Sequence, residues 1–340
     1  MKRLMIVTDA WHPQINGVVR VLEQLRRELP PFGIEVEMLS PDGFRSVPLP
    51  TYSEIRLVIS RPSAIARRIE GFAPDFIHIA TEGPLGTMAR QWCLKNRKGF
   101  TTSFHTRFPE YLAARLPVPV SVSYAWLRRF HNAGLATMVS TERLAGELRE
   151  RGFDKLRIWT RAVDTDRFTP GEPAELGLAG PIFLYVGRVA VEKGISNFLS
   201  LDLPGTKVVV GDGPQRAELQ RRFPDVKFLG VKTGDELVRI YRAADVFVFP
   251  SRTDTLGLVM MEAMACGTPV AAYPVTGPLD VVADSGAGVL DEDLRAAALA
   301  ALEIPRDKCL ERSRDFSWQS SASSFVEGLF EANGELRMAA

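Results

Sequence analysis

Asp245–Val270 reads DVFVFPSRTDTLGLVMMEAMACGTPV, and this stretch decides the fold. Asp245–Pro250 is a short apolar run of β-branched and aromatic residues, the mark of a buried strand. A polar loop follows, a helical pattern occupies Gly257–Cys266, and Pro269–Tyr273 is strand-like again. Strand, loop, helix and strand in that order make a parallel βαβ unit. Read back toward the N-terminus, the same alternation covers Ile182–Val186, Gly194–Leu201, Thr206–Val210, Gln215–Phe223, Val226–Gly230 and Gly234–Ala243. Helical stretches at Leu294–Ala301, Arg306–Ser313 and Ser317–Asn333 close the series.

A first series of the same kind precedes it. Strands at Leu4–Thr8, Val36–Ser40, Phe76–Ala80, Phe100–Phe104, Leu135–Ser140 and Leu156–Trp159 alternate with helices at Val18–Leu29, Ala64–Gly71, Pro84–Asn96 and Thr141–Arg151. In the first helix Val18, Val21, Leu22, Leu25 and Leu29 fall on one face. A chain of 340 residues is longer than one core usually supports. The expected organisation is a first domain over 1–165, a linker over 166–181 and a second domain over 182–316. A C-terminal helix over 317–340 is expected to pack back on the first domain. Both domains read as α/β, doubly wound and parallel. If they face each other, their strand ends share one cleft, and ligands of such sheets bind beyond the carboxyl ends of the strands.

Composition narrows the function classes. The chain is 46% hydrophobic and 24% charged, which is ordinary for a globular protein. Net charge is +1, so no nucleic-acid partner is expected. Residues 1–170 nevertheless carry 25 Lys and Arg against 17 Asp and Glu, while the remainder carry 17 against 24. A basic first half suits an anionic surface or ligand, or is segregated surface charge. The N-terminal apolar run meets Asp9 at once and reads as a strand rather than a signal peptide. No uncharged run reaches the ~18–20 residues of a spanning helix, so any membrane contact is expected to be peripheral. Cys93, Cys266 and Cys309 are widely spaced and read as buried free thiols.

Several loops after strands carry candidate chemistry. In Ser251–Val270 the helix starting near Gly257 offers first-turn amides that suit a diphosphate. Glu262 could accept from ribose hydroxyls and Asp254 from sugar hydroxyls. On the residues alone, a capped helix with a solvated Glu262 explains the same spacing. Arg188 and Lys193 follow the strand Ile182–Val186, and fixed cations there would stabilise charge building on a leaving diphosphate. A solvated turn would also hold an Arg and a Lys.

The segment Phe249–Val270, with Asp254 and Glu262 as its two acids, resembles the acidic-x7-Glu signature of the retaining glycosyltransferase family 4, within the GT-B superfamily of two Rossmann-like domains. The family usually begins the motif with Glu, and Asp254 stands there in this chain. Within it, the wording of Thr253–Val259 is similar to a subgroup acting on lipid acceptors, including sulfoquinovosyl, glucosyl and glucuronosyl diacylglycerol synthases and lipid mannosyltransferases. Four further matches cover most of the chain. Asn16-Gly17-Val18 resembles the family's small-residue loop at the donor diphosphate. His105-Thr106-Arg107-Phe108-Pro109-Glu110-Tyr111 is similar to its His-Thr-x-Phe-Pro-x-Tyr loop, which places His105 near the reacting sugar carbon. Gly187-Arg188 with Lys193 resembles the pair that neutralises the diphosphate, and Gly211-Asp212-Gly213-Pro214 its nucleotide-side turn. The resemblance implies catalytic roles for His105, Arg188, Lys193 and Asp254. It implies donor binding by Asn16, Gly17, Val18, Gly187, Gly211, Gly213, Thr255, Leu256, Gly257, Leu258 and Glu262.

It further implies a retaining hexosyl transfer from a nucleotide-diphosphate sugar, with UDP-glucose or UDP-glucuronate favoured, to a lipid such as diacylglycerol. No cofactor and no strict metal requirement are expected, since the resemblance is to a superfamily in which many enzymes need no metal, and the sequence has no clustered His or Cys. Thr106, Tyr111, Arg128 and Arg129 are expected on the acceptor side. Aromatic, aliphatic and basic residues interleave over Tyr111–Val120 and Tyr124–Phe130, which suits an anionic bilayer or merely snorkelling side chains on a core. The expected location is cytoplasmic, peripheral on the inner face of the cell membrane. Alternatives are a GDP-mannose-dependent mannosyltransferase and a nucleotide-sugar 2-epimerase on the same frame. A lectin-like protein with a decayed site is a further one. A nicotinamide dehydrogenase fails at Asp9–Gly17, which lacks GxGxxG.

Overall fold

Short runs that are apolar on both faces become interior strands of parallel sheets, where helices cover each face. The computed structural model describes residues 1–14, 16–49, 52–113 and 117–334. In chain order its strands are β1 (Lys2–Val7), β2 (Ile34–Leu39), β3 (Arg45–Leu49), β4 (Tyr52–Ile59), β5 (Phe76–Ile79), β6 (Thr101–Ser103), β7 (Ala136–Val139) and β8 (Leu156–Ile158). They continue with β9 (Ile182–Val186), β10 (Thr206–Val210), β11 (Lys227–Gly230), β12 (Val246–Phe249), β13 (Val270–Ala272) and β14 (Gly288–Leu290). The helices begin with α1 (Gly17–Glu28), α2 (Pro62–Phe72), α3 (Pro84–Lys95), α4 (Phe108–Ala113), α5 (Val120–His131), α6 (Glu142–Glu150) and α7 (Ile195–Leu199). After them come α8 (Arg216–Arg222), α9 (Gly234–Ala243), α10 (Leu258–Ala265), α11 (Pro278–Val281), α12 (Leu294–Ala301), α13 (Arg306–Ser313) and α14 (Trp318–Ala332).

The chain divides into two units. One holds Met1–Pro109, Val118–Arg161 and Trp318–Ala340, the other Glu110–Pro117 and Ala162–Ser317. Each is built on a six-stranded sheet whose strand pairs are all parallel. The first has the order β2-β1-β5-β6-β7-β8 and the second β11-β10-β9-β12-β13-β14. Both are the doubly wound α/β architecture expected from the alternation. In the second sheet, Leu184 of β9 pairs with Val208 on one side and Phe247 on the other. Strand order therefore reverses between β9 and β12, and the loops leaving those two strands flank a topological switch point. In the first sheet the reversal falls between β1 and β5.

Local chemistry sets several helix starts. Asn16 caps α1 by accepting from Val19 N at 3.0 Å, and Thr141 caps α6 by accepting from Leu144 N at 3.1 Å. The buried stripe of α1 runs through Val19, Val21, Leu22, Leu25 and Leu29, and Val18 is only half-buried. The expected stripe placed Val18 where Val19 belongs, because the helical period counted back from Leu22 and Leu25 centres on Val19. Helix α14 packs on β7, β8 and α1 of the first unit; residues 335–340 lie outside the described residues.

Some features differ from the sequence reading. An antiparallel pair, β3 with β4, stands apart from both parallel sheets and is laced by Arg56, whose Nε donates to Ser46 Oγ at 3.0 Å. Pro48 and exposed Val47 and Ile59 kept this stretch from reading as a buried strand. The segment 166–181, read as a linker, lies along the second unit. Phe168 enters that unit's core beside Tyr241, and Arg242 Nε donates to Thr169 O at 2.7 Å.

Candidate functional site

In the second unit the loops at the switch point bring opposite charges together. The chain leaves β9 through Gly187 and Arg188, makes a short turn over Val191–Lys193 and enters α7. Tyr185 steadies this loop by donating to Arg188 O at 2.7 Å. The loop after β12 runs through Asp254 to α10. The two loops touch through their backbones: a Cβ on Gly194 would lie 2.7 Å from Pro250 O, and Thr253 Oγ1 donates to Glu192 O at 2.9 Å. That close approach seats the Lys193 ammonium on the Asp254 carboxylate.

Tyr111 completes the cluster. Its hydroxyl donates to Asp254 Oδ1 at 3.2 Å and accepts from Lys193 Nζ at 3.1 Å. Burial pushes the Asp254 carboxyl up, but the Lys193 charge and hydrogen bonds from Lys193, Ser251 and Tyr111 override it and hold the group below its ordinary range. Burial alone would lower Lys193; the Asp254 carboxylate prevails and raises it. Burial, with Asp254 alongside, lifts the Tyr111 phenol to about 12. The cluster is thus a fixed cation and anion at neutral pH. Tyr111, expected on the acceptor side, lies on the Lys193–Asp254 pair, and Glu110–Pro117 belongs with the second unit. Ala114, Arg115 and Leu116 of the same interleaved stretch lie outside the described residues.

The α10 end follows directly. Gly257 has φ +93, and a Cβ there would meet the Phe249 ring at 2.9 Å. Thr255, Leu256 and Gly257 therefore bend tightly into a helix start that no side chain caps. Leu258 opens the helix. Glu262, one turn on, is 4% exposed, and its Oε2 accepts from the buried Tyr241 hydroxyl at 2.9 Å. Sequence reasoning missed this partner.

Gly211 and Gly213 have a role that the sequence did not show. A Cβ on Gly211 would fall 1.9 Å from Gly187 O, and one on Gly213 2.4 Å from Val189 O. These glycines let the turn after β10 press against the loop carrying Arg188 and Lys193. The close approach seen is between two protein backbones.

In the first unit, Asn16 is engaged as the cap of α1, and Gly17 and Val18 supply first-turn amides that this cap does not use. Asp9 accepts from Leu85 N at 2.8 Å and Gly86 N at 3.3 Å, at the start of α3. Burial raises its carboxyl to about 6 against those hydrogen bonds. His105 follows β6. Its Nδ1 lies 3.3 Å from Arg161 NH2, and its ring meets Trp159 edge-on. Burial first, then the Arg161 charge, lowers it well below the histidine range. Two more buried histidines stand behind it. His78 bonds Thr101 and Ser103, each at 2.9 Å, and His131 bonds Thr102 and Glu82. Thr106 accepts from Phe108 N through its carbonyl at 2.8 Å. Arg128 and Arg129 lie on the outer face of α5 with Val122 and Trp126, which are 59% and 47% exposed. Arg128 NH1 donates to Arg151 O at 3.3 Å.

Comparison with known proteins identifies the family. A family model described as Glycosyltransferase Family 4 matches residues 15–167, and one described as Glycosyl transferases group 1 matches 180–307. The chain is 31% identical to a GDP-mannose-dependent alpha-mannosyltransferase of Mycobacterium tuberculosis, over 85% of this chain and 83% of that protein. It is 32% identical to a sulfoquinovosyl transferase of Arabidopsis thaliana, over 72% of this chain and 52% of that protein. Among solved structures, a sucrose-phosphate synthase from Thermosynechococcus elongatus aligns over 98% of this chain and 100% of its own, with TM-score 0.78 at 20% identity. That likeness concerns the fold, which is GT-B.

Proposed function

The chain belongs to glycosyltransferase family 4, and from that premise we propose that it is a retaining hexosyltransferase using a nucleoside-diphosphate sugar and a lipid acceptor. The observation that carries the reading is the fixed charge cluster at the switch point of the second sheet, where Lys193 is held by Asp254 and Tyr111. Breaking the bond from the anomeric carbon to the diphosphate oxygen builds negative charge on the leaving group. A preorganised ammonium beside it lowers that barrier without reorganisation. Arg188 and the uncapped amides of α10 add to the same field. Asp254 and Glu262 would take sugar and ribose hydroxyls. His105, by the motif it matches, would donate to the transferred sugar.

Two donors compete. UDP-glucose or UDP-glucuronate is favoured by the lipid-acceptor wording of Thr253–Val259, and GDP-mannose by the mannosyltransferase relative that aligns over most of the chain. A thermal-shift panel of UDP, GDP and ADP separates them. The cognate nucleotide at 100 times its dissociation constant should add about 2.7 kcal/mol of stability, and the others little. Transfer assays with each sugar nucleotide, with and without diacylglycerol, then test the reaction. Product of retained anomeric configuration is expected, at a rate that chelation with EDTA leaves unchanged. Inversion at C2 without an acceptor would instead indicate an epimerase.

For the membrane, the exposed face of α5 supports peripheral docking, with Trp126 and Val122 as apolar groups and Arg129 as a cation. No helix among the described residues is long and apolar enough to cross a bilayer. Trp126→Ser with Arg129→Glu should lower cosedimentation with phosphatidylglycerol-containing vesicles about 10-fold, at about 1 kcal/mol per interfacial charge plus the lost apolar area. Transfer to a water-soluble acceptor should stay unchanged. Equal vesicle binding by the double variant would move the membrane face elsewhere.

A further inference from the structure

Arg161 is 6% exposed, and no carboxylate pairs with it among the described residues. A buried guanidinium normally sits against an anion. This one lies 3.8 Å from the Trp159 ring centroid, donates from NH1 to Trp159 O at 3.0 Å, and turns NH2 to His105 Nδ1 at 3.3 Å. Trp159 is itself clamped. Its Nε1 donates to Ser321 Oγ at 3.2 Å, Ser321 donates to Thr160 O at 2.7 Å, and the Phe325 ring packs 4.7 Å away. Helix α14 therefore braces Trp159, Trp159 braces Arg161, and Arg161 meets His105.

We propose that Arg161 is a positioning residue that fixes His105 as a neutral imidazole with its proton on Nε2. The geometry gives the direction of the bond. Arginine has only donors, so Nδ1 must be the acceptor and the ring proton must sit on Nε2. A second proton on the ring would break this bond and set two cations in contact. Two further ionisable groups that bear on His105 are His78, held by Thr101 and Ser103, and His131, held by Thr102 and Glu82. Arg107, on the same loop, is paired with Glu147 at 2.7 Å. His105 is thus a fixed N–H donor and not a proton shuttle. Its use on a sugar rests on the transferase reading above; its tautomer does not.

Nitrogen chemical shifts of the full chain, labelled at histidine and assigned with His105→Gln, test this directly. His105 should show an acceptor-type Nδ1 and a protonated Nε2, with no titration between pH about 5.5 and about 8. In Arg161→Met burial still keeps the ring neutral, but Nδ1 should lose its acceptor-type shift as the proton exchanges between the two nitrogens, and Arg161→Lys, which still donates, should restore the wild-type pattern. In turnover, wild-type transfer should show no histidine inflection. Arg161→Met should lose about 10-fold in kcat with little change in the donor KM, and Arg161→Lys should recover most of that loss. A wild-type His105 that titrates normally, or carries its proton on Nδ1, overturns the proposal whether or not Arg161→Met folds. A rate loss in Arg161→Met with the His105 nitrogen shifts unchanged also overturns it, since that is a structural role. Absence of transfer with every donor would fail the transferase reading and leave the spectroscopic result to decide Arg161.

Discussion

Replacing Lys193 with alanine should cut transfer by about 100- to 1,000-fold, the scale seen when one fixed donor to a developing oxyanion is removed. The donor KM should move far less, because charge builds on the diphosphate only as the bond breaks. The substitution also strands Asp254. The two side chains are 20% and 17% exposed, so the stability cost is on the order of 1–3 kcal/mol, below that of a fully buried pair. A Lys193→Ala/Asp254→Asn double variant separates the two effects. It removes the stranded charge, so the melting temperature should recover while the rate should not. Acid titration supplies a further sign. The native Asp254 carboxyl lies below its ordinary value, so its contribution to stability is complete above pH about 4 and is lost as pH falls through the folded value. Without Lys193 that loss should begin at higher pH. A Lys193→Ala enzyme that transfers at the wild-type rate would leave the ammonium a brace for Asp254 and nothing more.

The sequence showed which residues carry the charges but not what holds them. Runs such as Ile182–Val186 and Val246–Phe249 are apolar on both faces, and local composition alone makes them interior strands. Lys193, Asp254, Glu262 and His105 were visible because each follows such a strand in a recognisable motif. Their partners were not. Tyr111 lies 82 positions before Lys193, Tyr241 21 before Glu262, and Arg161 56 after His105. Only the folded topology brings these residues into contact. Gly211 and Gly213 illustrate a different limit. Their composition signals a close backbone approach, and the structure assigns that approach to Gly187 and Val189 of the neighbouring loop. The stretch 166–181 reads as a linker from its Pro, Gly and small residues, yet Phe168 anchors it to the second core. Composition reports the absence of regular structure, not the absence of packing.

Glu262→Gln is the sharper test of the donor site, because Glu262 has two possible jobs. Its carboxylate accepts from Tyr241 inside the second unit, and in the proposed reaction it also accepts from ribose hydroxyls. Alanine would remove both functions. It would leave the Tyr241 hydroxyl buried without this acceptor, at about 1–3 kcal/mol, and loss of nucleotide binding could then follow from loosening of α10. Glutamine keeps the shape and an acceptor oxygen for Tyr241, so the fold should hold within about 1 kcal/mol. What glutamine lacks is the charge. A hydrogen bond to a charged group is worth about 1.5–3 kcal/mol, so nucleotide affinity should fall about 10- to 150-fold by calorimetry. Wild-type affinity in Glu262→Gln, with lost stability only in Glu262→Ala, would make Glu262 a brace for Tyr241. The reverse outcome, a stable Glu262→Gln with weakened nucleotide binding, would place the carboxylate on the donor. Tyr241→Phe then measures the coupling: if the hydroxyl aims the carboxylate, its loss should weaken binding in wild type and have little further effect in Glu262→Gln.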